Sequence, residues 1–102
     1  MTSILRIEHP VTDFERWRRA FDSDPAGREL GGVRRYRIMR SSEDHRLVMI
    51  DLEFDSPEQA QEFLVRLRAL WTRVEFVADP RARVVELVED QALDRARTAA
   101  YD

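Results

Sequence analysis

Apolar and polar positions along the chain change period several times, and each change marks an element. Residues 3–9, SILRIEH, set Leu5, Ile7 and His9 on one face and Ile4, Arg6 and Glu8 on the other, the two-residue alternation of a strand with both faces half-buried. Pro10 interrupts ladder pairing, and Thr12 followed by Glu15 gives the capping-box pattern of a helix that begins near Asp13. Within VTDFERWRRAFDSD, Phe14, Trp17, Ala20 and Phe21 keep helical spacing while Glu15, Arg16, Arg18 and Arg19 take the outer side. Pro25 breaks that helix, and a short helical continuation through Arg28, Glu29 and Leu30 is expected before Gly31 and Gly32 stop it.

Two strands follow, at 33–40 and 46–54, joined by the polar turn SSEDH. A one-residue slip would turn a whole strand over, so the register is open to argument. Pairing Met39 with Met49 sets Arg37 opposite Asp51, Arg35 opposite Glu53, Ile38 opposite Ile50 and Tyr36 opposite Leu52, which makes both faces chemically consistent. SPEQ at 56–59 is a helix start, with Ser56 as N-cap, Pro57 in the first turn and Gln59 closing the box. From there Ala60, Phe63, Leu64, Leu67, Leu70, Trp71 and Val74 hold near-ideal helical spacing. An irregular stretch leads to a last strand at 83–89, and the tail from Gln91 to Asp102 is weakly amphipathic through Leu93, Ala96 and Ala100.

Strand, helix, strand, strand, helix, strand is the order of a ferredoxin-like α+β fold: a four-stranded antiparallel sheet with both helices on one face. Residues 1–90 then form one domain, and 91–102 a tail or short helix. The more apolar sheet face should meet the helices, which assigns Leu5, Ile7, His9, Tyr36, Ile38, Val48, Ile50, Leu52, Phe54, Val85 and Leu87 to the inner side. Outside remain Val33, Met39, Leu47, Met49, Val84, Val88 and Ile4 among balanced Arg and carboxylate residues. A patch of that kind predicts a homodimer packed sheet to sheet about a two-fold axis.

Composition narrows the chemistry. The 102 residues suffice for one two-layer core. With 17 basic and 20 acidic residues mixed along the chain, no single-sign field favours nucleic acid or an anionic membrane. No apolar run is long enough to span a bilayer, and the N-terminus lacks the pattern of a secretory signal, so a cytoplasmic location is expected. Cys, Lys and Asn do not occur, which excludes thiolate nucleophiles, Schiff-base lysines and Cys-ligated zinc. His45 lies in the hairpin turn, far from His9, so the two histidines make no metal site.

His9 is therefore the candidate proton carrier, set against the alternative of a buried His that merely holds the strand end. Tyr36 shares its face and offers a hydroxyl for a phenolic or carbonyl ligand, or for simple packing. Arg34 and Arg40 flank Tyr36 and could draw in an anionic or enolate-like group, or make surface salt bridges. Trp17, Phe54 and Trp71 are candidate aromatic walls of a pocket between sheet and helices. Asp51 and Glu53 face Arg37 and Arg35 and are assigned to ion pairs rather than acid–base work.

VTDFERWRRAFDSD behind a strand ending in His9, GGVRRYRIMRSSEDHRLVMIDLEFDSPEQAQEF, and the closing RVVELVE together resemble the dimeric α/β-barrel superfamily of antibiotic-biosynthesis monooxygenases and small polyketide cyclases. The resemblance implies a homodimeric barrel and a site between sheet and helices of each subunit. It also implies cofactor-independent cyclisation, isomerisation or oxygenation of an aromatic or polyketide-like molecule, with non-catalytic binding or assembly as the alternative. Haem-degrading relatives use a His of the second helix and an Asn near the first strand, neither of which is present. Quinone-forming relatives use an Asn, Trp and Tyr set, of which Trp71 and Tyr36 match two and the Asn is missing.

Overall fold

The computed structural model describes residues 2–73 and 79–93. Its elements run β1 (Ser3–Pro10), α1 (Phe14–Asp22), β2 (Arg35–Arg40), β3 (Leu47–Phe54), α2 (Pro57–Trp71) and β4 (Arg81–Glu86), which is the ferredoxin-like order. All pairings are antiparallel, in the spatial order β2-β3-β1-β4. The two most apolar strands, β1 and β3, are thus central, where both neighbours supply ladder bonds.

Hairpin register is as the alternation predicts, with Met39 opposite Met49, Arg37 opposite Asp51 and Arg35 opposite Glu53. The second helix begins with the expected cap, since the Ser56 side chain accepts from the Gln59 backbone N–H at 3.3 Å and Pro57 stands in the first turn, but Gln59 does not close the box, its Oε1 having no hydrogen-bond partner among the described residues. Its buried stripe is Ala60, Phe63, Leu64 and Leu67, with Leu70 and Trp71 half-buried at its end. Val74 and the tail positions Ala96 and Ala100 lie outside the described residues.

Local chemistry departs from expectation at four other places. Asp13, not Thr12, caps α1, its carboxylate accepting from the Arg16 backbone N–H at 3.2 Å; a residue nearer the first turn wins because its oxygen reaches the orphan donor. Pro10 extends β1 instead of ending it, which is tolerated because β4 pairing stops at Glu8 while Pro10 still faces Leu47. The helical continuation through Arg28, Glu29 and Leu30 is absent; residues 25–32 form successive turns, with Asp24 at φ 55° and Gly27 at φ 68° interrupting any helical run. Lastly, β4 is turned over relative to the expected assignment.

That reversal has a clear cause. RARVVE offers apolar residues at both parities, so alternation alone leaves the face undecided. Pairing with β1 sets Val84 opposite Leu5 and Ala82 opposite Ile7, so Ala82 and Val84 join the core beneath α2, and Val85 faces outward opposite Ile4. The strand also ends at Glu86, leaving Leu87 and Val88 beyond it. Val33 likewise precedes β2 and packs on the core. The outward apolar set therefore shrinks to Ile4, Met39, Leu47, Met49 and Val85.

Candidate functional site

A cavity of about 90 Å³ lies between sheet and helices. Its floor is Ile7 and His9 of β1 with Ile50 and Leu52 of β3; Trp17, Ala20 and Phe21 of α1 form one wall; and Phe63, Leu67, Leu70 and Trp71 of α2 form the other. Segment 24–28, through Asp24, Pro25, Ala26 and Arg28, closes the third side. Pro25 is exposed and Ala26, Leu70 and Trp71 are half-buried, so this side is also the mouth.

Strand β1 puts His9 on the inner face because the alternation from Leu5 through Ile7 carries on to it. The imidazole is 2% exposed. Its Nδ1 lies 3.1 Å from the Pro10 carbonyl, and since a carbonyl oxygen only accepts, the Nδ1 proton is donated there. Nε2 is then the lone-pair nitrogen, without a hydrogen-bond partner among the described residues. Trp17 meets the ring edge-on, with centroids 5.9 Å apart. Burial pushes the His9 pKa below its ordinary 6.5, against a smaller upward pull from the Pro10 carbonyl, so the ring is neutral near pH 7.

Folded-state depression of a histidine pKa means that the unfolded chain binds the proton more readily. The stability due to a neutral His9 is thus complete above about pH 6.5 and is lost as the pH falls below it. Urea midpoints measured from about pH 7.5 down to about pH 5.5 should decline in the wild type, and His9→Gln should flatten that slope. An equal slope in both proteins would show that His9 is not the titrating group.

Of the residues singled out from sequence, the structure brings His9, Trp17 and Trp71 together on the cavity. Tyr36, Arg34, Arg40 and Phe54 do not line it. Tyr36 sits on the edge strand β2, 43% exposed, with its ring 5.3 Å from that of Phe21. Arg34 pairs with Asp55 at 3.1 Å in solvent, and Arg40 lies 4.5 Å over the Phe14 ring. Phe54 is buried deeper, against Phe63 at 5.5 Å between centroids. Among the described residues no group of three or more His, Asp or Glu side chains is placed to hold a metal ion, and no helix is long and apolar enough to cross a membrane.

Arg28 is the lining residue that the sequence pattern missed. Its Nε donates to Asp24 Oδ1 at 2.9 Å, and the same oxygen accepts from the Arg28 backbone N–H. The guanidinium carbon lies 3.9 Å above the Phe21 ring and 4.8 Å from that of Tyr36. One available signal was the Asp24-to-Arg28 spacing of four just after a helix end.

No protein-family model matches the chain, and no curated protein matches it in sequence. Solved structures do resemble it in shape. A dimeric ferredoxin-like protein from an uncultured marine organism aligns over 91% of this chain and 93% of its own, with a TM-score of 0.62 at 14% identity. A protein from Nitrosomonas europaea named a "putative antibiotic biosynthesis monooxygenase" aligns over 89% and 94%, with a TM-score of 0.64 at 12% identity. SnoaB, a cofactor-independent oxygenase from Streptomyces nogalater, aligns over 87% and 94%, also at 0.64, with 9% identity. The likeness is one of fold. The chain shares the ferredoxin-like architecture of antibiotic-biosynthesis-monooxygenase-like proteins, and at these identities its chemistry must be argued from its own residues.

Proposed function

We propose that the chain is a small homodimeric enzyme whose inner cavity takes a flat aromatic or polyketide-like molecule, with His9 as proton acceptor in a cofactor-independent cyclisation, isomerisation or oxygenation. One observation carries this reading: a mainly apolar cavity, with Asp24 and Arg28 at its closing segment, reaches a neutral histidine whose Nε2 lone pair has no partner among the described residues. Such a nitrogen can take a proton from an activated carbon or hydroxyl, leaving the negative charge on a ligand oxygen. Trp17, Phe21 and Trp71 would stack on the ligand and limit water around that charge. The cofactor-independent chemistry in the description of SnoaB, a neighbour in fold, agrees with this.

Dimerisation belongs to the same proposal. The outer face of the sheet is hollow over about 460 Å³, lined by Arg6, Glu8, Met39, Met49, Asp51, Arg81 and Arg83. Although this hollow is the larger, it lies on an open, charged sheet face, which suits a second copy better than a small apolar ligand. A non-catalytic binding or assembly role is favoured by one feature, the volume of 90 Å³, below the about 300 Å³ at which drug-sized ligand pockets begin.

Thermal-shift titration with aromatic and polyketide-like compounds, run in parallel on the wild type and His9→Gln, separates these readings. A catalytic pocket predicts ligands that stabilise the wild type, by about 2.7 kcal/mol at a hundredfold excess over Kd, with a pH dependence that His9→Gln removes. Identical responses of both proteins at every pH would deny His9 its role.

A further inference from the structure

We propose that Arg28 is the anion-recognition residue of the inner cavity and makes it selective for planar carboxylates. This rests on the reading of that cavity as a ligand pocket and names the class of ligand. Arg28 Nη1 is a buried donor without a hydrogen-bond partner among the described residues. The side chain as a whole is only 16% exposed. A guanidinium N–H removed from water without an acceptor is costly, and native structures rarely keep one without a use.

The rest of the side chain is held in place while that donor stays without a partner among the described residues. Asp24 fixes Nε at 2.9 Å, and the Phe21 and Tyr36 rings lie close to the guanidinium, at 3.9 and 4.8 Å. Among the described residues Asp24 is the sole carboxylate of the cavity lining, and its Oδ1 already accepts twice from Arg28. No other acidic side chain of the described lining is placed to satisfy Nη1. A ligand carboxylate can, and a guanidinium recognises one by geometry as well as charge. With His9 on the floor and Arg28 on the closing segment, a flat ligand would keep its acidic end at the mouth and direct its reacting part toward His9. Arg34 and Arg40 cannot serve in this way, since neither lines the cavity.

Titration of the full chain with benzoate and with its uncharged isostere benzamide, followed by NMR on the His9 and Arg28 side-chain resonances, tests the proposal. In the wild type benzoate should bind about ten to a hundred times more tightly than benzamide. That ratio should fall to about one in Arg28→Gln and recover in part in Arg28→Lys, which keeps the charge but loses the planar fork. Should Arg28→Gln fail to fold, the wild-type ratio and the Arg28 shift decide alone. Benzamide binding as tightly as benzoate, with the His9 resonances moving in both titrations, would overturn the role of Arg28 and leave the pocket standing. If neither compound moved the His9 resonances, the pocket reading would fall, and this inference with it.

Discussion

Phe63→Ala is expected to lower the stability of the protein by about 3–5 kcal/mol, against a total of about 5–15 kcal/mol for a domain of this kind. The ring is 1% exposed and joins three parts of the molecule. It packs against Phe54 at 5.5 Å between centroids, it lines the inner cavity, and it lies against the backbone of Gly31. A Cβ built on Gly31 would stand 2.4 Å from Phe63 Cδ1, so the turn carrying Gly31 and Gly32 sits directly on the ring. Truncation therefore removes apolar contacts and also leaves a void that strand β3 and that turn cannot both move to fill. Urea unfolding checks the expectation: a loss under about 1.5 kcal/mol would mean that α2 settles inward and closes the space. Because the void would merge with the existing cavity, the same variant should accept larger aromatic ligands than the wild type.

The contrast between α2 and segment 24–32 explains what could be read from sequence. SPEQ followed by a seven-position apolar stripe leaves a helix with one face to bury, and the hairpin register is fixed by two charge pairs and three apolar pairs that agree with one another. His9, Trp17 and Trp71 were legible as pocket residues for the same reason, since each continues a periodic pattern. At two places periodicity carries no information. β4 has apolar side chains at both parities, so only its pairing with β1 selects Ala82 and Val84 for the core. Arg28 reaches the cavity through turns set by the left-handed backbone of Asp24 and Gly27, and no local pattern in the chain gives the direction of such a segment. Tyr36 lies on the expected inner face, but its strand is the sheet edge, where its ring meets Phe21 of α1.

Asp51→Ala is expected to cost about 1.5–3 kcal/mol and to shift the protein from dimer to monomer. Across the outer face the register builds one row, in spatial order Arg37, Asp51, Arg6 and Arg83, so a single carboxylate stands among three guanidinium groups. Asp51 is 1% exposed and accepts from Arg6 Nε at 2.9 Å and Nη2 at 2.8 Å, with Arg37 Nη2 at 3.4 Å. Those donors hold its carboxyl below the ordinary 3.8 in spite of burial, and the Arg6 bonds are the largest cause. The stability it contributes is accordingly present above about pH 3.8 and lost as the pH falls through the depressed value. Without Asp51, Arg6 is left beside the like charge of Arg83, its direct cross-strand partner, and cross-strand like charges are destabilising. Water limits the loss, because the Arg6 and Arg37 side chains are 56% and 50% exposed and can turn outward. In a dimer packed on this face that escape would be closed, since turning outward would drive uncompensated arginines into the partner's sheet. The oligomeric state should therefore respond more strongly than the fold does. Sedimentation equilibrium on the wild type and Asp51→Ala, with circular dichroism as a check on folding, gives the decisive comparison. A dimeric wild type and a folded, monomeric variant are expected; a monomeric wild type at micromolar concentration would remove the sheet-to-sheet dimer altogether, and a variant that stays dimeric would place the interface elsewhere.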